Sequence, residues 1–130
     1  MNRGAISWSS KKQSLVTLST AESKYIAATY AIKEALWLHW TIGEIYQPLK
    51  KLITLYSDSQ SAIALTKDRS YHAQTKHIDI RYYFICFEVQ RKLIDLVYCP
   101  TDNMTADILT KALLNSKAKH FTKVLGLHPT

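Results

Sequence analysis

The sequence predicts an α/β fold, in which short apolar strands alternate with amphipathic helices. Two apolar runs, residues 52–56 and 93–98, have the length and the β-branched and aromatic content of buried strands. Stretches with apolar residues at helical spacing separate and surround these runs, and helical crossovers between strands are typical of an α/β sheet. The 130 residues are 47% hydrophobic with three Gly and three Pro, which predicts a single domain over residues 1–130.

The composition restricts the class of protein. The formal net charge of +7 is spread along the sequence, which suits a polyanionic partner such as nucleic acid but also occurs in domains without one. No apolar run approaches the roughly 20 residues of a membrane span, and the first residues lack the apolar region of a secretory signal. Cys86 and Cys99 lack metal-type spacing and are predicted to be reduced core thiols. The sequence therefore predicts an intracellular protein, cytoplasmic or nuclear, with no membrane partner.

The first elements in chain order are predicted to be extended. Polar residues alternate with Ile6 and Trp8 over Gly4–Ser10, which is the pattern of a strand with one apolar face. Residues 15–18 form a second short extended piece. The three tryptophans of the chain are predicted to pack in the core or against a strand face.

A long helix follows. Residues 19–22, Ser-Thr-Ala-Glu, match a capping box, with a hydroxyl at the N-cap and a carboxylate three residues later. This match and the helical spacing of the apolar residues predict a helix from Thr20 to about Trp40. Gly43 and Pro48 are expected to end it.

Asp58 lies where the strand over residues 52–56 gives way to a helix. Ser57 and Ser59 flank it, and small polar residues at this point cap the first N–H groups of a helix. The carboxyl end of a strand is also where open α/β sheets place their functional sites. On this stretch alone, a helix cap is the favoured reading of Asp58.

The remaining elements follow from the same patterns. They are a helix over residues 78–92, a strand over 93–98, a loop over 99–103, a final helix from about Thr105 through Lys111, and a basic tail. Asp107 lies in the first turn of this last helix, so neighbouring strands would bring Asp58 and Asp107 to one end of the sheet. Clustered carboxylates suit Mg²⁺, and two such ions about 4 Å apart can hold the oxygens of a phosphodiester. A favourable charge at a helix N-terminus is the alternative for Asp107.

Six phrases together resemble the ribonuclease H region of copia-type retrotransposon Pol polyproteins. They are Ser7–Gln13, Leu18–Glu22, Lys33–Leu38, Asp58–Ala62, Thr75–Tyr82 and Ala106–Lys111, in the family's order and spacing over nearly the whole chain. The resemblance implies a ribonuclease H-like fold, a five-stranded mixed sheet flanked by helices. It also implies Mg²⁺-dependent hydrolysis of the RNA strand in an RNA–DNA hybrid, through four acidic residues.

The resemblance places the family's third and fourth acids at Asp58 and Asp107, the surviving catalytic and metal-binding candidates. The family's second acid directly precedes a tyrosine, and here Lys24 stands at that position. Glu22, two residues earlier, is the less favoured substitute for that acid. Position 24 shares a helix face with Ala28 and Ala31, small residues expected to pack on the sheet, whereas Glu22 lies on another face.

These departures predict a degenerate copy. An ammonium group among the carboxylates repels Mg²⁺ and can pair with an aspartate in its place. The chain begins at the family's third strand, so the resemblance implies a truncated domain without the first two strands and the first catalytic Asp. We therefore expect no cleavage of hybrids, even with Glu restored at position 24.

The missing strands imply an open sheet edge, which is a template for pairing with another chain. Self-association through this edge and rearrangement of Ala5–Leu18 to fill the gap are the two ways to complete the sheet. Two alternatives stay open for the function of the chain. One is a non-catalytic remnant that binds nucleic acid or a protein partner. The other is a fragment that is unstable on its own.

Overall fold

A computed structural model describes residues 4–14, 16–17, 19–47, 52–67, 84–85, 87–89 and 91–127. The chain forms two compact units: a central unit, Thr17–Thr101, and a terminal unit made of Met1–Val16 together with Asp102–Thr130. The single domain over residues 1–130 stays a prediction, because compactness alone does not show that either unit folds independently. Within the described ranges, no helix has the length and apolar content to cross a membrane.

Helix α1, Thr20–Ile45, is the longest element at 26 residues. Its start confirms the predicted N-cap: the backbone of Ser19 is extended, and its hydroxyl accepts a hydrogen bond from the N–H of Glu22 over 3.2 Å. This bond satisfies one of the N–H groups that lack a partner at the beginning of every helix. The buried positions of α1 are Tyr25, Ile26, Thr29, Ile32 and Leu36.

Helix α1 ends later than the sequence predicts. It was expected to stop near Trp40, yet it continues through Gly43 to Ile45, where the N–H of Tyr46 donates to a carbonyl one turn back at 3.0 Å. A single glycine in a helix costs only about 1 kcal/mol relative to alanine, which a helix of this length tolerates. Pro48, the second predicted stop, lies outside the described residues.

The described sheet has two parallel strands, β1 (Ile53–Ser57) and β2 (Ile94–Tyr98). Ile53 lies opposite Ile94 and Ser57 lies opposite Tyr98, so the strands are in register along their full length. Both predicted strands are confirmed, and they are direct neighbours. Because the strands are parallel, the residues that follow Ser57 and Tyr98 emerge at the same end of the sheet.

Helix α2, Gln60–Lys67, begins directly after β1, as predicted. Residues 84–85 and 87–89 are also helical and belong to the predicted helix over residues 78–92, whose other positions before Arg91 lie outside the described residues. The backbone then turns at Lys92, which has a left-handed φ of 55°, and enters β2. This left-handed residue ends the helical stretch in the way that a C-terminal cap does.

The core of the central unit joins α1, α2, the helical residue Ile85 and β2. Its buried residues are Tyr25, Ile32, Leu36, Ala62, Ile63, Ile85, Ile94 and Leu96. Residues Ile53 and Leu55 of β1 are only half-buried and pack against this cluster. The described core is therefore built mainly between the two helices and β2.

The outer edge of β1 has no strand partner among the described residues. The N–H of Ile53 donates to Leu93 and the carbonyl of Ser57 accepts from Cys99, each over 2.9 Å, so these positions face β2. In a parallel ladder the alternate positions, Thr54 and Tyr56, direct their backbone groups to the other edge. Self-association through this edge stays a prediction.

The predicted strand over Gly4–Ser10 is wrong. The structure has no strand in this segment, and Ile6 and Trp8 are 61% and 68% exposed. An alternating pattern forms a strand only when a neighbouring strand accepts its hydrogen bonds, and the described residues provide none for this segment. Trp37 and Trp40 are likewise exposed, so the prediction that the tryptophans pack internally is also wrong.

In the terminal unit, the predicted final helix is only a short 3-10 helix, and the stretch expected to be a basic tail contains a helix that the sequence analysis missed. A 3-10 helix, Thr105–Leu109, is followed by helix α3, Asn115–Val124. The carbonyl of Asp107 accepts the N–H groups of both Thr110, at 3.1 Å, and Lys111, at 2.9 Å. These two bonds close the short helix, and Thr110 leaves the helical conformation with a φ of −131°.

Glu88 provides a test of the core. The residue is 6% exposed, and its Oε2 atom has no hydrogen-bond partner among the described residues. A buried polar atom without a partner costs roughly 1–3 kcal/mol. We expect Glu88→Leu to raise the free energy of unfolding by about this amount in urea denaturation. Glu88→Gln, which leaves a polar group buried, should gain less, and a destabilised Glu88→Leu would contradict the interpretation.

Candidate functional site

The carboxyl end of the sheet opens into a polar groove of about 410 Å³ within the central unit. Three chain segments meet there: the start of α1, the turn between β1 and α2, and the end of β2. The lining residues are Thr20, Ala21, Lys24, Asp58, Ser59, Gln60, Ser61, Tyr98 and Thr101. Most of these side chains carry a hydroxyl, amide or charged group, so the groove favours polar ligands over apolar ones.

The turn after β1 positions the carboxylate of Asp58. The hydroxyl of Ser57 accepts the N–H of Ser59 over 3.2 Å, which tightens the turn. The hydroxyl of Ser59 in turn accepts the N–H of Ala62 over 3.2 Å, and its carbonyl accepts the N–H of Ile63 over 3.1 Å. Ser59 therefore fills the N-cap position of α2, and the favoured reading of Asp58 as that cap is corrected.

Asp58 pairs with a lysine from α1. The Nζ atom of Lys24 contacts Oδ1 of Asp58, and the hydroxyl of Thr101 donates to Oδ2 over 3.4 Å. The side chain of Asp58 is only 9% exposed, whereas that of Lys24 is 41% exposed. The ion pair expected from the sequence is thus present, with the carboxylate much less exposed than the ammonium group.

A magnesium ion does not fit this arrangement. Mg²⁺ takes six oxygen ligands in a nearly ideal octahedron at about 2.1 Å. Lys24 contacts an oxygen of Asp58 that such an ion would need, so its ammonium group would have to be displaced first. Across the described ranges, no group of three or more His, Cys, Asp or Glu side chains is placed to hold a metal.

Asp107 lies in the terminal unit, within the 3-10 helix Thr105–Leu109. Its residue is 9% exposed, and Oδ2 accepts a hydrogen bond from Nζ of Lys111 over 2.8 Å. Asp107 therefore has a basic partner one helical turn further along the chain. A joint role of Asp107 and Asp58 as metal ligands stays a prediction.

The structure places Glu22 and Lys24 differently. Lys24 lines the groove, whereas Glu22 is not part of that lining. Ala28 packs against the core, as expected for the face shared with position 24. Ala31, assigned to the same face, is exposed, because at 100° per residue it lies about 150° around the helix from the centre of the buried stripe. The role of Lys24 as the replacement for a catalytic acid stays a prediction.

Thr101 was missed in the sequence. It follows Pro100 just beyond β2, and its hydroxyl reaches Asp58, which lies just beyond β1. The signal was available, since two parallel neighbouring strands bring the residues after their carboxyl ends together. Tyr98, at the end of β2, enters the groove lining for the same reason.

The chain is similar to retrovirus-related Pol polyproteins from plant transposons. It is 43% identical over 125 residues to that from transposon TNT 1-94 of Nicotiana tabacum, covering 96% of this chain and 9% of the relative. It is 33% and 32% identical over 122 residues to those from transposons RE1 and RE2 of Arabidopsis thaliana, covering 94% of this chain and 8% of each relative. The chain thus spans less than a tenth of the length of these relatives. No protein-family model and no solved structure matches it.

The unequal burial of the ion pair predicts unequal effects of removing either partner. Lys24→Met removes the ammonium group that contacts the carboxylate of Asp58, whose side chain is 9% exposed, and we expect a loss of roughly 1–3 kcal/mol in the free energy of unfolding. Asp58→Asn leaves Lys24 free to hydrate, and we expect a loss below about 1 kcal/mol. Urea denaturation of both variants measures the difference. Equal losses would show that burial of Asp58 does not govern the energy of the pair.

Proposed function

The chain is homologous to a short segment of the retrovirus-related Pol polyproteins of plant transposons, and we propose that it is the ribonuclease H-like region of a copia-type retrotransposon. The six matching phrases support this finer assignment. Strands β1 and β2 are parallel, α2 lies between them in the sequence, and Asp58 follows the end of β1. This arrangement is consistent with a ribonuclease H-like region. The corresponding activity is Mg²⁺-dependent hydrolysis of the RNA strand in an RNA–DNA hybrid.

We further propose that this copy is catalytically degenerate. The observation that carries the proposal is the contact between Lys24 and the half-buried carboxylate of Asp58. Lys24 stands at the position of a family acid, so the substitution exchanges a negative for a positive charge where a divalent cation would bind. Two unit charges 4 Å apart interact by about 4 kcal/mol with the screening typical near a protein surface. Repulsion of this size, doubled for a divalent ion, opposes magnesium binding.

The first prediction of this proposal concerns cleavage. We expect the purified chain to leave a labelled RNA–DNA hybrid intact in the presence of Mg²⁺, because the ammonium group of Lys24 contacts the carboxylate of Asp58 that the metal would need. Gel analysis of the RNA strand measures this, with an active ribonuclease H added to a parallel sample to show that the substrate is cleavable. Mg²⁺-dependent cleavage that Asp58→Asn abolishes would overturn the proposal, and cleavage that survives Asp58→Asn would reveal a contaminating nuclease.

The second prediction concerns metal binding and is independent of cleavage. Lys24→Glu replaces the ammonium with a second carboxylate beside Asp58, so we expect Mg²⁺ to stabilise this variant but not the natural chain. A ligand at ten times its Kd stabilises a protein by about 1.4 kcal/mol, which thermal unfolding detects. Lys24→Gln is the matched control, because it removes the cation without adding an anion. An equal response of both variants, at matched ionic strength, would show that Lys24 is not what excludes the metal.

A further inference from the structure

The positive charge of the chain is concentrated in the terminal unit. This unit contains seven of the lysine and arginine residues and only two aspartates, which gives it a net charge of +5 out of the +7 of the whole chain. Both aspartates are paired internally: Asp102 with Lys117 at 3.0 Å, and Asp107 with Lys111 at 2.8 Å. The remaining cations of the unit therefore have no acidic side chain of the same unit left to neutralise them.

Helix α3 presents two of these cations together. Its residue Phe121 is 1% exposed, which fixes the buried face of the helix. Lys119 and Lys123 lie on the opposite face, and both are exposed. They are one turn apart, about 6 Å along the helix axis. Neither has an ion-pair partner among the described residues.

The amino-terminal segment of the unit is attached to the end of this helix. The N–H of Ala5 donates to the carbonyl of Leu125 over 2.8 Å. A Cβ atom on Gly4 would lie 3.1 Å from that same carbonyl oxygen and 3.2 Å from the carbonyl of Gly126, so glycine permits the close approach. The segment is thereby held beside the carboxyl end of α3, two residues from Lys123.

Trp8 follows this attachment point directly. Three residues of chain reach at most about 11 Å, so Trp8 lies within that distance of Ala5. Its side chain is 68% exposed, and the exposed cations Lys11 and Lys12 come next in the chain. One unit of the chain therefore carries both an exposed indole and exposed lysines that have no ion-pair partner among the described residues.

We propose that this surface, termed the basic aromatic face and formed by Trp8, Lys11, Lys12, Lys119 and Lys123, binds single-stranded nucleic acid. Lysines contact backbone phosphates and release their counterions, which provides affinity for any sequence. An exposed aromatic ring stacks on an unpaired base, and this contact distinguishes a single strand from a duplex whose bases are already stacked. The binding requires no metal and does not involve the groove around Asp58.

Fluorescence anisotropy of the full chain with a labelled 20-nucleotide single strand, in EDTA, tests this inference. We expect Lys119→Gln combined with Lys123→Gln to weaken binding about tenfold near 0.1 M salt, and to reduce the slope of affinity against salt by about one and a half. Trp8→Ala should weaken binding at least about fivefold. The matched control is Lys67→Gln combined with Lys92→Gln, which removes the same charge from exposed positions of the central unit. Circular dichroism shows whether each variant is folded.

Selective loss of affinity in the α3 variant and in Trp8→Ala supports the proposal. Equal weakening by the control pair would show that only net charge matters and would overturn it, as would absence of binding by the natural chain. Tighter binding to the duplex form of the same oligonucleotide, unaffected by Trp8→Ala, would overturn the assignment to a single strand. Binding to vesicles containing anionic lipid, without binding to the oligonucleotide, would show that the surface serves a membrane. EDTA removes divalent metal ions from every sample. The outcomes are therefore independent of whether the groove around Asp58 can bind Mg²⁺.

Discussion

The parallel pairing of β1 with β2 is the constraint on which the central unit depends. Parallel neighbours cannot be joined by a tight turn, so the chain must cross over between them, and α2 and the helical residues before Arg91 lie in that crossover. The same pairing brings the turn after Ser57 and the loop after Tyr98 to one end of the sheet. This pairing therefore brings Asp58 and Thr101, which are far apart in sequence, within hydrogen-bonding distance.

The site at that end shows that the position of a carboxylate and the charge around it come from different elements. The strand, the serine cap and the neighbouring helix position Asp58. Helix α1 delivers a positive charge to it, because the ammonium group of Lys24 contacts the carboxylate. Position and charge are thus separable properties of a site, and a backbone that positions a carboxylate does not by itself determine which cation the carboxylate binds.

Features set by local chemistry were predictable from the sequence, and features set by distant contacts were not. The N-cap at Ser19 and the two strands follow from neighbouring residues and were found correctly. The apolar alternation around Trp8 indicated a strand, but strand formation depends on a partner elsewhere in the chain. The basic aromatic face was missed because its lysines lie near opposite ends of the sequence, where the charge looks evenly spread. The concentration of positive charge becomes visible only when the two ends of the chain fold into one unit.

The placement of the tryptophans determines what an optical experiment on this protein reports. Trp8, Trp37 and Trp40 are 68%, 58% and 59% exposed, so we expect their emission in the folded chain to be that of an indole in water. Unfolding changes the surroundings of these rings little, and a fluorimeter that follows them will understate the loss of the core. Among the described tyrosines, Tyr25, at 1% exposure, is the one that reports on the interior. The same exposed indoles are accessible to quenchers. Protection of tryptophan emission from a quencher would therefore report that a ligand covers the surface around these side chains.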